Sequence, residues 1–378
     1  MDAGALFVLK SKEIGSWVHC GYHLTTSIVG PPLLSLPFAF TLLGWAGGVV
    51  SLAAAALVTF YSYNLLSLVL EHYDQMGRRQ LRFRDMANQI LGKYIHVHFF
   101  FHTDKFYSYS ACATAAAIHI GTSSSSSPPK EYSVPGDDTA DRLFGVFNAV
   151  AIIATTCGNG IIPEIQATVA PPVKGKMFKG LCVCYAVVLA AFFSVAISGY
   201  WAFGNRAQGL VLSNFVDSGR PLVPKWFVLM VNVFTILQLS AVAVYSKFDC
   251  WQVYLQPTNE VLEGTFGDPK SKQFSARNVV PRVLSRSLSV VVATVIAAML
   301  PFFGDINAII GAFGFIPLDF ILPVVFYNMT FKPSKRSLVF WLNSSIAVVF
   351  SAIGAVAAVA AVRQMSLDAK TYRLFANV

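Results

Sequence analysis

Two apolar stretches of the 378-residue chain carry residues that a continuous helix does not accommodate. Residues 17 to 45 contain Gly30-Pro31-Pro32 and then Pro37, and residues 143 to 169 contain Cys157-Gly158-Asn159-Gly160, then Pro163 and Glu164. Pro31 and Pro32 have no N–H and cannot continue the upstream ladder, so the first stretch is expected to unwind around Val29 and Gly30 and restart at Leu33. In lipid every backbone polar group must be paired, and such breaks survive only where the freed groups line a cavity or meet a ligand. A restarted half-helix offers N–H groups and a partial positive charge suited to a carboxylate. Unwound carbonyls near Ile28, Val29 and Cys157 suit an ammonium group. The chemistry these spacings allow is the holding of a small zwitterion with separated ends. Its candidate binding set is Ile28, Val29, Gly30, Leu33, Thr156, Cys157, Gly158, Asn159 and Gly160.

Each feature also has a plainer reading. Gly30-Pro31-Pro32 alone can be a proline kink, which is common in membrane helices; a second break at the front of the later half is what favours a site. Asn159 either contacts a ligand or satisfies carbonyls freed by its flanking glycines. Glu164 lies within an apolar run and is the candidate proton-coupling carboxyl, or else an anchor paired with Lys174 or Lys176. Asp305 follows Gly304 and is expected to cap the next helix. Asp319, between Pro317 and Pro323, is buried by position, with packing, gating and substrate contact all open. Gln238 and Ser240 either face a cavity or join helices, and joining is favoured.

The elements that must position these groups are membrane spans. Mean hydropathy is +0.58, and charged residues are only 12% against 55% apolar ones, about half the charge of a soluble domain. Runs reaching the roughly 20 apolar residues a crossing helix needs fall near 18 to 42, 46 to 70, 143 to 168, 180 to 203, 224 to 246, 283 to 303, 305 to 330 and 338 to 362. The net charge of +9 sits in short loops between these runs and therefore reports topology, not nucleic-acid binding. Arg78, Arg79, Arg82, Arg84 and Lys93 mark one inside loop, Lys174, Lys176 and Lys179 a second, and the clusters around Lys270 to Arg286 and Lys332 to Arg336 two more. The serine-rich, acidic segment from Thr122 to Asp141 belongs outside, which places the amino terminus in the cytosol.

That scheme requires a crossing between Lys93 and Thr122, and only Phe106 to Gly121 can supply it. Sixteen residues reach about 24 Å, short of the hydrocarbon thickness. Drawing Asp104 and Lys105 into the core would cost roughly 2.5 to 3.5 kcal/mol per residue, so the crossing is weak. His96, His98 and His102 do not share a helix face and read as a solvated membrane edge. Residues 1 to 16 show no cleavable signal pattern. The six cysteines lie mostly within spans, and Cys182-x-Cys184 is one residue short of zinc spacing, so neither a disulfide framework nor a metal site is expected. Nucleophile triads, phosphate loops and HExxH are absent from the sequence, which excludes the common enzyme signatures.

The run His23 to Phe40, closed by Leu43-Gly44-Trp45, resembles the first helix of the amino acid/auxin permease family, and Glu164-Ile165-Gln166-Ala167-Thr168 resembles its sixth-helix signature. The longer matches Asn148 to Thr156, Gly158 to Thr168, Pro301 to Asp305 and Gly311 to Asp319 are most similar to the plant GABA transporter subgroup. The resemblance implies an all-α membrane protein with a five-plus-five inverted repeat, usually one further carboxyl-terminal helix, and symport of an amino acid with protons. H⁺ is then the coupling ion and no cofactor is needed. The chain departs from the plan between residues 93 and 108, where the family places two further helices and the start of another. Residues 94 to 107 and 246 to 252 do not resemble family sequence and have the character of altered splicing or gene modelling.

The expected organisation is a cytosolic amino terminus (1–16), an incomplete first repeat (17–121), an extracellular loop (122–142), a second repeat (143–330), and an additional helix with the carboxyl terminus (331–378). Eight clear spans and one weak one follow. The function this implies is proton-coupled symport of GABA or a related amino acid across the plasma membrane, with the small-molecule substrate and the lipid bilayer as partners and no nucleic acid. Three alternatives are a sensor that binds an amino acid without moving it, an inactive truncated variant, and a symporter of another amino acid such as proline. A channel lacks any filter-like loop or ring of charged positions.

Overall fold

The computed structural model describes residues 17–77, 107–122, 130–136, 138–160, 162–167, 173–217, 220–231 and 303–369, with a few isolated positions besides. Gln238, Ser240, His96, His98 and His102 lie outside the described residues, as do most of the expected spans 224 to 246 and 283 to 303. Apart from a minimal hairpin pairing Val216–Asp217 with Arg220–Pro221, the described chain is helical. Its helices are α1 (Trp17–Ile28), α2 (Leu36–Gln75), α3 (Tyr107–Thr122), α4 (Thr139–Cys157), α5 (Ile162–Ala167), α6 (Lys174–Phe203), α7 (Phe303–Ile310), α8 (Leu322–Phe331) and α9 (Leu338–Asp368). A π-helical stretch, Gly311–Ile321, joins α7 to α8. Among the described residues, five segments are long and apolar enough to cross a membrane: Pro31–Gln75, Thr139–Cys157, Gly175–Arg206, Phe303–Phe331 and Leu338–Asp368.

Helix α2 has 40 residues, and a straight helix of that length would span about 60 Å, twice the hydrocarbon thickness. It does not run straight. Gly44 takes φ +69°, ψ 179°, a left-handed region open to glycine at little cost, and the chain doubles back there. The ring of Phe40 consequently lies where a Cβ on Gly48 would sit, 2.7 Å away. The two expected spans on either side of Leu43-Gly44-Trp45 are thus the arms of one hairpin.

Small residues set how closely the helices approach. Gly21 of α1 meets Gly180 of α6, with each placing its partner's backbone 3.2 Å from a notional Cβ. In lipid, where apolar surface gains little by leaving the solvent, such close contact is a main source of helix association. Gly311 presses the π stretch onto α4, and a Cβ there would fall on Ala151 O and 2.6 Å from Thr155 Oγ1. Side-chain hydrogen bonds add to this: Tyr185 of α6 donates to Thr59 of α2 at 2.8 Å, and Gln166 of α5 donates from Nε2 to Ser67 O of α2 at 2.9 Å. Tyr61 of α2 donates to Asn343 Oδ1 at 2.7 Å, and Asn343 passes the chain on to Asn328 at 2.8 Å, which fixes α9 against α8. At one end Arg363 of α9 pairs with Asp141 of α4 at 2.6 Å and lies over the Phe144 ring.

The segment expected to be a weak crossing contains the helix α3, which is 16 residues long and is not among the five membrane-length segments. Its buried positions, Ser110, Ala113, Ala116, Ala117 and Ile120, recur at helical spacing and pack on α6, where Gly121 leaves room for the Trp201 ring. The following loop is held by backbone and ring contacts. Asn205 N donates to Glu131 O at 2.8 Å, Tyr132 packs between Trp45 and Tyr200, and Lys130 donates to Gly121 O at 3.0 Å beneath the Trp201 ring. Asp305 differs from expectation: it occupies the first turn of α7, inside the helix, and is not its cap, because the helix already begins at Phe303.

Gly311→Ala forces a methyl group into the α4 backbone and is expected to destabilise the protein by about 1 to 3 kcal/mol. Gly175→Ala, at a position with nothing within 4 Å, is expected to change stability by no more than about 0.5 kcal/mol. Thermal unfolding of the detergent-purified protein measures both, and equal melting temperatures for the two variants would contradict the close packing of the π stretch.

Candidate functional site

Both anticipated breaks are present. Helix α1 ends at Ile28, Val29 still donates to Thr25 O at 3.0 Å, and Gly30 is extended at φ −121°, ψ 174°. A short 3-10 turn, Pro31–Ser35, then leads into α2. Helix α4 ends at Cys157, Gly158 is extended at φ −73°, ψ 144°, and Asn159 and Gly160 precede the six-residue α5. Ile28, Val29, Leu33, Thr156, Cys157 and Asn159 are all buried, while Gly30 and Gly160 are partly exposed. Glu164 lies on α5, but its side chain falls outside the described residues.

One side chain joins the breaks. Asn159 Nδ2 donates to Ser27 Oγ at 2.6 Å, in the last turn of α1, and the Asn159 backbone N–H donates to Asp319 Oδ2 at 3.2 Å, in the π stretch. Ser27 can accept because its own hydroxyl hydrogen goes to Leu24 O at 2.7 Å. A second link runs from the Tyr63 hydroxyl of α2 to Cys157 O at 3.2 Å, while Thr156 Oγ1, which donates to Ile152 O at 2.9 Å, lies 3.4 Å from Pro32 O. The carbonyls freed by the breaks are therefore partly occupied by hydroxyl donors, as the cost of unpaired groups in lipid requires. Gly158 serves a steric need: a Cβ there would lie 1.9 Å from the Phe315 ring, which wedges against the break.

A separate polar chain crosses near the restart of the first break. Ser35 Oγ donates to Gly209 O at 2.6 Å and accepts from Asn307 Nδ2 at 2.9 Å, and Asn307 O accepts from Thr155 Oγ1 at 2.5 Å. Gly209 and Gly304 touch backbone to backbone. The loop between α6 and the following helical residues is thus drawn against α2, α4 and α7 at one level.

The restart offers fewer donors than the sequence implies. Pro31 and Pro32 contribute none, and Leu33 N donates to Gly30 O at 3.2 Å. Gly30 itself records no backbone hydrogen bond from its amide among the described residues. Ser27, Tyr63, Asn307 and Asp319 join the site from elements far apart in sequence. Ser27 stands directly before the break and carries a local signal, but Tyr63 and Asn307 carry none.

Asn159→Ala and Ser27→Ala each remove the bridge between the breaks. In a double-mutant cycle their effects on thermal stability are expected to be non-additive by about 0.6 to 2 kcal/mol. Strict additivity would mean that the 2.6 Å contact contributes nothing.

The sequence model of the family described as "Transmembrane amino acid transporter protein" matches residues 13–109 and 103–367, two pieces that meet at 103–109. The chain is 52% identical to GABA transporter 1 of Arabidopsis thaliana, with 100% of this chain and 96% of that protein covered. That alignment runs over 446 positions against 378 residues here, which leaves 68 positions without a residue of this chain. Lysine histidine transporter-like 1 and transporter-like 6 of the same plant are 26% and 24% identical, covering 97% and 95% of this chain and 92% and 93% of their own lengths. Two helices broken at buried, hydroxyl-satisfied junctions, several long apolar crossings and near full-length relatives converge on one conclusion: the chain belongs to the family of transmembrane amino acid transporter proteins.

Proposed function

We propose that this multi-pass protein carries GABA or a closely related small amino acid across the plasma membrane by proton-coupled symport. The observation that carries the reading is the junction of the two breaks, where Asn159 and Ser27 meet and backbone groups stand outside any helix ladder. The Gly30 amide takes the substrate carboxylate, and carbonyls at Ile28, Val29 and Cys157 face its ammonium end. Thr156, Gly158, Gly160 and Leu33 shape the space between. The choice of GABA rests on the 52% identity to GABA transporter 1 over the whole chain. Glu164, the third residue of α5, is the proton-coupling carboxyl.

The proposed architecture is an inverted repeat of eight clear spans and one weak one, with the amino terminus in the cytosol and the first repeat incomplete. Support for the incomplete repeat comes from the two-piece family match and the 68 unmatched positions. The same feature favours a second reading, a protein that binds an amino acid without moving it, since the shortened repeat leaves part of the scaffold unbuilt.

Uptake of labelled GABA by transport-deficient cells separates the two. Symport predicts accumulation above the outside concentration, abolished by a protonophore, and a loss of proton dependence in Glu164→Gln. Saturable binding without accumulation would replace symport by the sensor reading.

A further inference from the structure

We propose that Asp319 is the anionic end of the substrate site and receives the ammonium group of the amino acid at its Oδ1 oxygen. The inference deepens the proposed function and rests on reading the two breaks as a substrate site.

Asp319 is fully buried in the π-helical stretch, at 0% exposure. Its Oδ2 accepts the Asn159 N–H at 3.2 Å, and Asn159 in turn holds Ser27 of α1 at 2.6 Å. The carboxyl group therefore lies at the place where the two broken helices and the π stretch come together. Its other oxygen, Oδ1, has no hydrogen-bond partner among the described residues. No lysine, arginine or histidine among them forms an ion pair with it either. A buried carboxyl group is paired with a cation, supplied with donors or protonated, and one with an unsatisfied oxygen in a membrane interior is a functional group by default.

The surroundings fit a primary ammonium. That group has three donors and no acceptor, so it matches a carboxylate oxygen and nearby carbonyls, and it is repelled by N–H donors. Beside Asp319 stand the Cys157 carbonyl, which accepts the Tyr63 hydroxyl at 3.2 Å and retains a second lone pair, and the Tyr63 hydroxyl itself, which also comes within reach of the Asp319 carboxyl. The donor suited to the opposite, carboxylate end belongs to Gly30, on the other broken helix. Asp319 and Gly30 stand on different elements, the π stretch and the first broken helix, so a substrate that engages both must carry its amine at a matching separation from its carboxylate. Backbone carbonyls alone would not impose that separation. The residue thereby acts as a specificity determinant for ω-amino acids over α-amino acids.

The test is equilibrium binding to the purified full chain, read by ligand-induced thermal shift and labelled-ligand competition, with GABA, β-alanine, alanine, proline and n-propylamine as probes. Asp319→Asn keeps an acceptor for the Asn159 N–H and removes the charge. It is expected to weaken binding of every primary amine that binds the wild type by at least about thirtyfold, with the melting temperature of the empty protein retained. Unchanged affinity, including unchanged affinity with altered pH dependence, overturns the assignment, the latter outcome making Asp319 a proton carrier. Asp319→Glu extends the anion by one methylene and is expected to shift preference from GABA toward β-alanine. It decides the matter where Asp319→Asn does not fold, and an unchanged preference overturns the proposal. Asp319-dependent binding of another amine in the absence of GABA binding would sustain this inference and remove the GABA reading, whereas a wild-type chain that binds none of the probes removes both.

Discussion

Asn159 is the residue on which the rest of the site depends. Through its side-chain amide it holds the last turn of α1, and through its backbone N–H it holds the π stretch. A helix broken in an apolar environment exposes backbone groups that water cannot reach, and each must find a partner inside the protein. Asn159 ties the two breaks together and finds a partner for its own amide N–H, and Tyr63 supplies a hydroxyl donor to the freed Cys157 carbonyl. The breaks are consequently coupled: movement of α1 relative to α4 must either carry Asn159 along or part it from Ser27.

Close packing makes that coupling sharp. Gly158 admits the Phe315 ring to within a distance no side chain would allow, and Gly311 brings the π stretch onto the α4 backbone. The π geometry is what turns Asp319 toward the break, because the wider turn with Pro317 inside departs from the spacing of an α-helix. On the other side of the site, Ser35 and Asn307 tie the restart of the first break to the Gly209 loop and to Thr155 of α4. Polar contacts thus connect the broken elements, and small residues fix the distances between the unbroken ones.

The first half of the molecule is built with little redundancy. Helix α3 is too short to cross comfortably on its own, at about 24 Å, yet it presents a regular stripe of small residues to α6 and accepts Trp201 at Gly121. Its far end is capped by the Lys130 loop, which Tyr132 and Asn205 hold against α2 and α6. The structural burden of this half falls on the α2 hairpin and on α6, which between them contact α1, α3, α4 and α8.

What the residues determined alone was the class of molecule, the approximate place of the five apolar segments that are described, and the positions of both breaks. Those features are local: hydropathy over 20 residues, a proline that lacks an N–H, and glycines flanking an asparagine all act within one segment of chain. The hairpin at Gly44 was legible only as a boundary between two spans, since its sharpness comes from Phe40 folding onto Gly48. The pairing of Asn159 with Ser27, 132 residues apart, and with Asp319, 160 residues away, could not be read from either neighbourhood. The same holds for Tyr63 and Asn307. Only the tertiary structure decided which hydroxyls satisfy the broken ladders and which carboxyl oxygen is left without a donor, because those outcomes depend on distances between helices, set by glycine contacts that no single stretch of sequence contains.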